Sequence, residues 1–294
     1  MRFITCRLPD GVEDPAILSE DGRQVWPLSW LGLSYETLSE AIPFLTPQVR
    51  YGLSLAIAGI PALPVEAVTL ESPIPAPAQD VICQGINYMA HSDEAEKYSA
   101  AAFATKHEDA IYFSKRVTRA VPDGGPIEAH TDLVKKLDYE CELAVVLGRD
   151  ARDVPAGQTR DYIFGYTILN DVSARDVQTA HKQWYFGKSL DGFTPIGPCI
   201  VTADAFADYP PRLGIRSFVN GEKRQDSNTA LQIFDIDHVI AELSQGMTLK
   251  AGTIIATGTP AGVGMGMDPP QFLKPGDVVR CEIDGIGTLT NPVK

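Results

Sequence analysis

Little in this chain of 294 residues points to a membrane, a secretory route or a disulfide scaffold. No stretch approaches about 18 uninterrupted apolar residues, the length a helix needs to cross a bilayer. The opening MRFITCRLPDG has no apolar core of the kind a signal peptide carries. Cys6, Cys83, Cys141, Cys199 and Cys281 are scattered without a C-x-x-C pair. Neither a disulfide framework nor a structural zinc site is expected, and a reducing, cytoplasmic setting fits. Positive charge is also short, with 25 Lys plus Arg against 38 Asp plus Glu and a net of −13. Such a chain repels phosphate backbones and anionic lipid, so neither nucleic acid nor a membrane surface is an expected partner. An anionic ligand would need a local cationic trap, and a bound metal ion is the simplest one.

What is present is a globular composition, 44% hydrophobic, in a length that suits one large or two modest domains. The stretch LESPIPAPAQD, with Pro73, Pro75 and Pro77, holds the chain extended and prevents a helix. It divides the expected organisation into a small N-terminal α+β domain (1–70), a Pro-rich linker (71–79) and a catalytic domain (80–294). In the first part, alternation near Arg2–Arg7 and the Asp21-Gly22 turn suggest a hairpin, followed by helices around 34–42 and 46–60. Strand signals dominate the rest, among them VICQGINY, AIYFSK, LDYECELAVVLG, DYIFGYTILND and DVVRCEIDGIGTLTN, the last carrying the hairpin pair Asp284-Gly285. Helices are expected only near 91–103, 173–183 and 236–244. Strands without regularly alternating helices predict a mainly β, largely antiparallel fold with peripheral helices (α+β), not a doubly wound sheet or TIM barrel.

The segment LDYECELAVVLG carries the most chemistry. On a strand, Asp138, Glu140 and Glu142 face one way, a face that continues as Ala144 and Val146, while Leu143, Val145 and Leu147 face the other. Both faces therefore read as entering a core. Two like charges at i and i+2 near a core repel and lose hydration, so either one carboxyl takes a proton or a cation sits between them. An oxygen-only donor set suits Mg²⁺, Mn²⁺ or Ca²⁺ better than zinc. A third carboxylate is available where the apolar strand IFGYTIL ends at Asn170-Asp171. Asp171 is expected at or near the cap of a following helix, with Arg175 and Gln178 close to one helix face. Arg175 could clamp a substrate carboxylate or pair with Asp171 or Asp176. Gly258, Gly262, Gly264 and Gly266 do not form a phosphate loop, because no G-x-x-x-x-G-K-[ST] pattern or following helix is present. They read instead as places where backbone approaches a ligand closely.

Five ordered blocks, GINYMAHSDE, DYECELAVVLG, GYTILNDVSARDVQ, FGKSLDGFTPIGP and ATGTPAGVG, together resemble the fumarylacetoacetate hydrolase superfamily from about Val81 onward. The resemblance implies a C-terminal β-roll or sandwich domain preceded by the small N-terminal one, and a homodimer. It implies metal ligands at Glu140, Glu142 and Asp171, a catalytic His91–Glu94 pair, a catalytic Lys188, and substrate-binding positions Arg175, Gln178 and Thr259. One departure is informative: Gln84 stands seven residues before His91, where strict fumarylacetoacetases have an acidic metal ligand. That favours the smaller acylpyruvase and 2-hydroxyhepta-2,4-diene-1,7-dioate isomerase-like branch, with a three-carboxylate Mg²⁺ site. The helix from His91, polar and Ala-rich, is expected to act as a mobile lid, as in similar proteins.

These residues support Lewis-acid chemistry on a 2-oxo acid, in which the metal stabilises the enolate formed when the bond beyond C3 breaks. The leading expectation is hydrolysis of acylpyruvate-type 2,4-dioxo acids, with His91 and Glu94 activating water and Lys188 stabilising the oxyanion. Oxaloacetate decarboxylation and keto-enol tautomerisation use the same enolate. A metal-dependent 2-oxo acid binding protein is the non-enzyme alternative.

Overall fold

The computed structural model describes residues 1–294. Its frame is an eleven-stranded mixed sheet. Its N-terminal strands are β1 (Arg2–Arg7), β2 (Glu13–Leu18), β3 (Gln24–Pro27) and β4 (Thr69–Glu71). Between β3 and β4 lies helix α1 (Pro47–Ala56), capped by the Thr46 hydroxyl accepting the Val49 N–H. Then follow β5 (Val81–Gly85), helix α2 (Met89–Phe103), β6 (Ile111–Lys115), β7 (Cys141–Leu147) and β8 (Ile163–Asn170). Two short helices, α3 (Arg175–Ala180) and α4 (Tyr185–Lys188), lead to β9 (Ile196–Thr202). From the outer β3 inward the order is β3-β2-β1-β9-β8-β7-β12-β5-β6, where β12 is Ile254–Ala256; Leu63–Pro64 flanks β3 and β4 pairs with β1.

A second, four-stranded sheet covers one face of the first. It is built from β10 (Gly214–Val219), β11 (Glu222–Asn228), β13 (Val278–Ile283) and β14 (Gly287–Pro292) in the order β11-β10-β13-β14. Asp284-Gly285 makes the β13–β14 turn, and the Asp21-Gly22 turn joins β2 to β3. Helix α5 (Ile236–Leu243) packs at the edge with Asp235 as its cap. The architecture is mainly β with peripheral helices, and every ladder of the large sheet is antiparallel except β5 against β12.

The alternation in LDYECELAVVLG is realised with a break. Leu137–Asp138 forms a two-residue ladder with Ser173–Ala174, and β7 proper starts at Cys141. Leu143, Val145 and Leu147 then enter the core beneath the small sheet, with Ile215, Val279 and Ile283. Ala144 and Val146 enter a second core, whose other wall is Leu38, Ile42, Leu45 and Leu53 of the N-terminal helices. Both faces of β7 are therefore dry, and each large side chain removed from water there contributes roughly 1.5–3 kcal/mol. The Pro-rich stretch bends at 73–76 and again at 78–79 instead of running extended, with residues 71–75 buried, and β1 pairs β9 at Phe3–Ile200, so the N-terminal strands continue the sheet that carries β7 and β8.

Three local expectations change. The helix expected over 34–42 is the single turn Leu38–Ala41. The helix expected over 173–183 is confined to α3, because Ser173–Ala174 is still in a ladder. For the same reason Ala174 holds the cap place, and Asp171 is not a helix cap. Its N–H donates to the Glu140 carbonyl at 2.9 Å, which turns the chain and sends its carboxylate inward. No helix is long and apolar enough to cross a membrane.

Candidate active site

At the end of the β7–β8 pair, one ligand atom each from Glu140, Glu142 and Asp171 lies within 4.8 Å of the others, and all three side chains are buried. Register explains the convergence: Glu142 opposes Leu169 across the β7–β8 ladder, and Cys141 opposes Asn170, so Asp171 is delivered beside Glu140. The Asn170 side chain accepts the Glu140 N–H at 3.0 Å and holds that turn in place.

Three buried cations meet this cluster. Lys188 Nζ donates to Glu140 Oε2 at 2.7 Å and to Asp171 Oδ2 at 2.6 Å. Lys115 Nζ donates to Asp171 Oδ1 at 2.5 Å and to the Val172 carbonyl at 2.9 Å. Arg175 reaches Glu140 Oε1 at 2.7 Å through Nη1 and Asp138 Oδ2 at 2.9 Å through Nε. Asp138 in turn accepts the N–H groups of Gly264 and Met265. Arg175 thus pairs with Asp138 and Glu140, not with Asp171 or Asp176, since Asp176 turns outward to accept the Lys135 N–H. Its Nη2 is buried without a partner, leaving one donor uncommitted.

Glu142 is the exception. No cation pairs with it, and its Oε2 accepts only the Gly258 N–H, at 2.8 Å. Burial, reinforced by the charges of Asp171 and Glu140, pushes its carboxyl well above the ordinary range. Glu140 goes the other way: burial raises it, but Lys188 and then Arg175 outweigh burial and hold it below the ordinary range. Burial works to lower Lys188, yet Asp171 and Glu140 outweigh it and lift the amine to about 12. In Lys115 burial wins, Asp171 opposing and Lys188 adding to the downward shift. Three carboxylate oxygens at this spacing, one of them outside any ion pair, fit the donor set of a hard divalent cation.

Opposite the carboxylates, α2 presents His91, buried, with Nδ1 3.6 Å from Glu94 Oε2. That is an ion-pair contact, longer than a hydrogen bond. Between the two walls lies a small cavity of about 20 Å³ bounded by Glu140, Glu142, His91, Lys188 and Gln84, with Ile86, Phe103, Phe113, Trp184 and Met265 as its apolar side. Gln178 lines it too, its Oε1 accepting from Arg175 at 3.1 Å. Thr259 also lines it, but its hydroxyl is committed, donating to the Cys141 carbonyl at 2.9 Å and accepting from Gln225 at 2.7 Å.

Two contributors escaped the sequence reading. Lys115 was legible only as the last residue of the strand AIYFSK, where a lysine ending an apolar run is usually solvated; here it is fully buried against Asp171. Gln225, on the small sheet, braces the Thr259 loop and accepts the Cys141 N–H. Nothing near Gln225 in sequence signals that role, because its partners are 34 or more positions away.

A mixed sheet carrying a buried carboxylate triad beside a His–Glu pair places the chain among mainly β proteins with a candidate metal site. Within that class, residues 80–294 match the model of the fumarylacetoacetate (FAA) hydrolase C-terminal family. The chain belongs to that family. It is 43% identical over 226 residues to oxaloacetate tautomerase YisK of Bacillus subtilis, covering 77% of this chain and 73% of that protein. It also superimposes on a fumarylacetoacetate hydrolase from Exiguobacterium antarcticum, at 37% identity and a TM-score of 0.82 over 100% of this chain and 99% of that one. A maleylpyruvate hydrolase from Sphingobium, solved with manganese(II) and pyruvate, aligns at 28% identity and a TM-score of 0.79, covering 100% and 98%. Family members thus include tautomerases and hydrolases.

Proposed function

We propose that this protein is a divalent-cation-dependent enzyme that moves a proton at C3 of a short 2-oxo acid. Its reaction is the keto-enol tautomerisation of an oxaloacetate-type dicarboxylate. The observation that carries this reading is the buried triad Glu140, Glu142 and Asp171, in which Glu142 forms no ion pair, with Glu140 and Glu142 on the wall of a cavity that His91 also lines. The tautomerase named above supports the choice among enolate reactions.

Glu140, Glu142 and Asp171 would hold Mg²⁺ or Mn²⁺. When bound, the ion polarises the carboxylate and 2-oxo oxygens of the acid and so makes the C3 protons acidic. The chain's own residues do the rest. Lys188, kept protonated by two carboxylates, and the free Nη2 of Arg175 supply positive charge for the substrate's anionic oxygens. His91 takes a proton from C3 as the C2–C3 double bond forms and passes it to the 2-oxo oxygen, which becomes the enol hydroxyl; the reverse reaction carries the hydroxyl proton back to C3, and Glu94 beside Nδ1 balances the imidazolium that forms in between. The apolar wall of Trp184, Phe103 and Phe113 excludes water, so the proton goes back to the substrate.

Hydrolysis of acylpyruvates is the second reading, favoured by the maleylpyruvate hydrolase that aligns across the whole chain. There the same His91–Glu94 pair would deprotonate a water instead of C3. Stopped-flow loss of enol absorbance from oxaloacetate, with Mg²⁺, with Mn²⁺ and with a chelator, separates these. Metal-dependent enol–keto exchange without pyruvate release is the expected result. Pyruvate released faster from acetylpyruvate makes it the hydrolase, and pyruvate from oxaloacetate makes it a decarboxylase. If no 2-oxo acid is consumed while oxalate still binds with Mg²⁺, the protein is a binding protein.

A further inference from the structure

The glycine loop reaches α2 as well as the cavity. Val263 and Met265 pack with Ile86, Ala95 and Phe103 in an apolar cluster separate from the two sheet cores. Beside it, the Gly262 N–H donates to both carboxylate oxygens of Glu94, each at 3.0 Å. Apart from His91 at 3.6 Å, no basic side chain pairs with Glu94. The orientation of that carboxylate is therefore set by the loop.

Both positions demand glycine, for different reasons. Gly262 has φ of +103°, and a Cβ there would stand 2.1 Å from the Arg224 carbonyl oxygen. Only glycine adopts that conformation and turns its N–H toward Glu94. Gly266 has ordinary backbone angles, but a Cβ on it would stand 2.6 Å from Glu94 Cδ and 2.7 Å from Oε2. A methyl group at 266 would push the carboxylate aside by close to an ångström, while no backbone would have to move. Close backbone approach, expected toward a ligand, is at these two glycines an approach to Glu94.

We propose that Gly262 and Gly266 are positioning residues for the His91–Glu94 pair. The N–H of the first clamps the carboxylate, and the bare Cα of the second leaves the slot in which it faces the imidazole. The inference rests on the proton-transfer role given to that pair above. A misplacement of about 1 Å in a reacting constellation costs on the order of 10²-fold. Gly266→Ala should therefore lower kcat by about 10- to 100-fold, with calorimetric Mg²⁺ and oxalate affinities unchanged within about twofold.

The decisive measurement is a double-mutant cycle with Glu94→Ala. Once the carboxylate is gone, the added methyl has nothing to displace, so Gly266→Ala should have no further effect in that background. A full kcat in Gly266→Ala, or the same fractional loss with and without Glu94, would overturn the proposal. Hydrogen exchange over residues 89–103 provides a readout independent of turnover. Exchange should quicken in each single variant and no further in the double, and an additive double would refute the clamp. If the wild-type protein turned over no 2-oxo acid, the functional reading would fall while the exchange cycle still decided whether the loop fixes Glu94.

Discussion

The two walls of the cavity carry acids of similar kind on very different supports. Glu140, Glu142 and Asp171 leave the ends of strands in the middle of an eleven-stranded sheet and are surrounded by Lys115, Lys188 and Arg175. His91 and Glu94 stand on a helix held by a five-residue apolar cluster, the Gly262 N–H, the Ser92–His107 contact and a hydrogen bond from Lys136 to the Tyr98 hydroxyl. The helix also departs from helical geometry at Ser99. Charges taken out of water need counter-charges on a rigid frame, because an uncompensated ion in a low dielectric is costly. A proton carrier needs less, since a neutral imidazole can be buried with one nearby carboxylate. The carboxylate wall is fixed by cations arriving from three elements, whereas the helix wall rests mainly on apolar packing and single hydrogen bonds.

The contrast can be broken most forcefully at Glu140. Glu140→Ala leaves Arg175 and Lys188 buried without their shared partner and should cost about 3–5 kcal/mol of stability in denaturant titration. Glu142→Gln, which removes no ion pair, should leave metal-free stability nearly unchanged below the unfolded value of 4.5 and raise it at neutral pH, while abolishing Mg²⁺ binding in calorimetry. Equal stability losses at the two positions would contradict the charge assignment. On the helix wall, His91→Ala should reduce turnover at least ~100-fold with Mg²⁺ still bound. Unchanged turnover would remove the pair from the mechanism.

The pH dependence of the chelated protein sharpens the same comparison. Glu142 is raised in the folded state, so its contribution is present at acid pH and lost as pH climbs past the unfolded value of 4.5 toward the raised one. Glu140 is lowered, so its contribution is present above that value and lost only on acidification through the lowered one. Between about pH 5 and pH 8 the melting temperature of chelated protein should therefore fall, and Glu142→Gln should flatten the slope. A flat wild-type profile would contradict this. The smallest effect lies far from both walls, where Thr46→Ala removes the cap of α1 and should cost about 1 kcal/mol with activity untouched. A change in kcat there would mean that the N-terminal layer steers the site.

Much of the carboxylate wall was legible in sequence, because alternation along one strand is a local property. Beyond Glu142 the successive residues Leu143 and Ala144 enter two different cores, as the apolar pattern of β7 requires. The helix α5 and the hairpin at Asp284-Gly285 were legible for the same reason, each resting on residues a few positions apart. The structure brings Asp171 beside the glutamates, but a two-residue ladder to Leu137–Asp138 delays the helix, so Asp171 is not the cap its sequence position suggests. The partners of Arg175, 35 and 37 positions away at Glu140 and Asp138, had no local signal at all.

Local chemistry in the chain determined the two-faced strand, the acid pair upon it, the turns and the mainly β character, since each depends on neighbours that the backbone itself keeps close. Tertiary structure alone decided which acids keep their counter-ions. That outcome depends on Lys115, Lys188 and Arg175 arriving from three separate elements, and on burial deep enough to make their absence at Glu142 count.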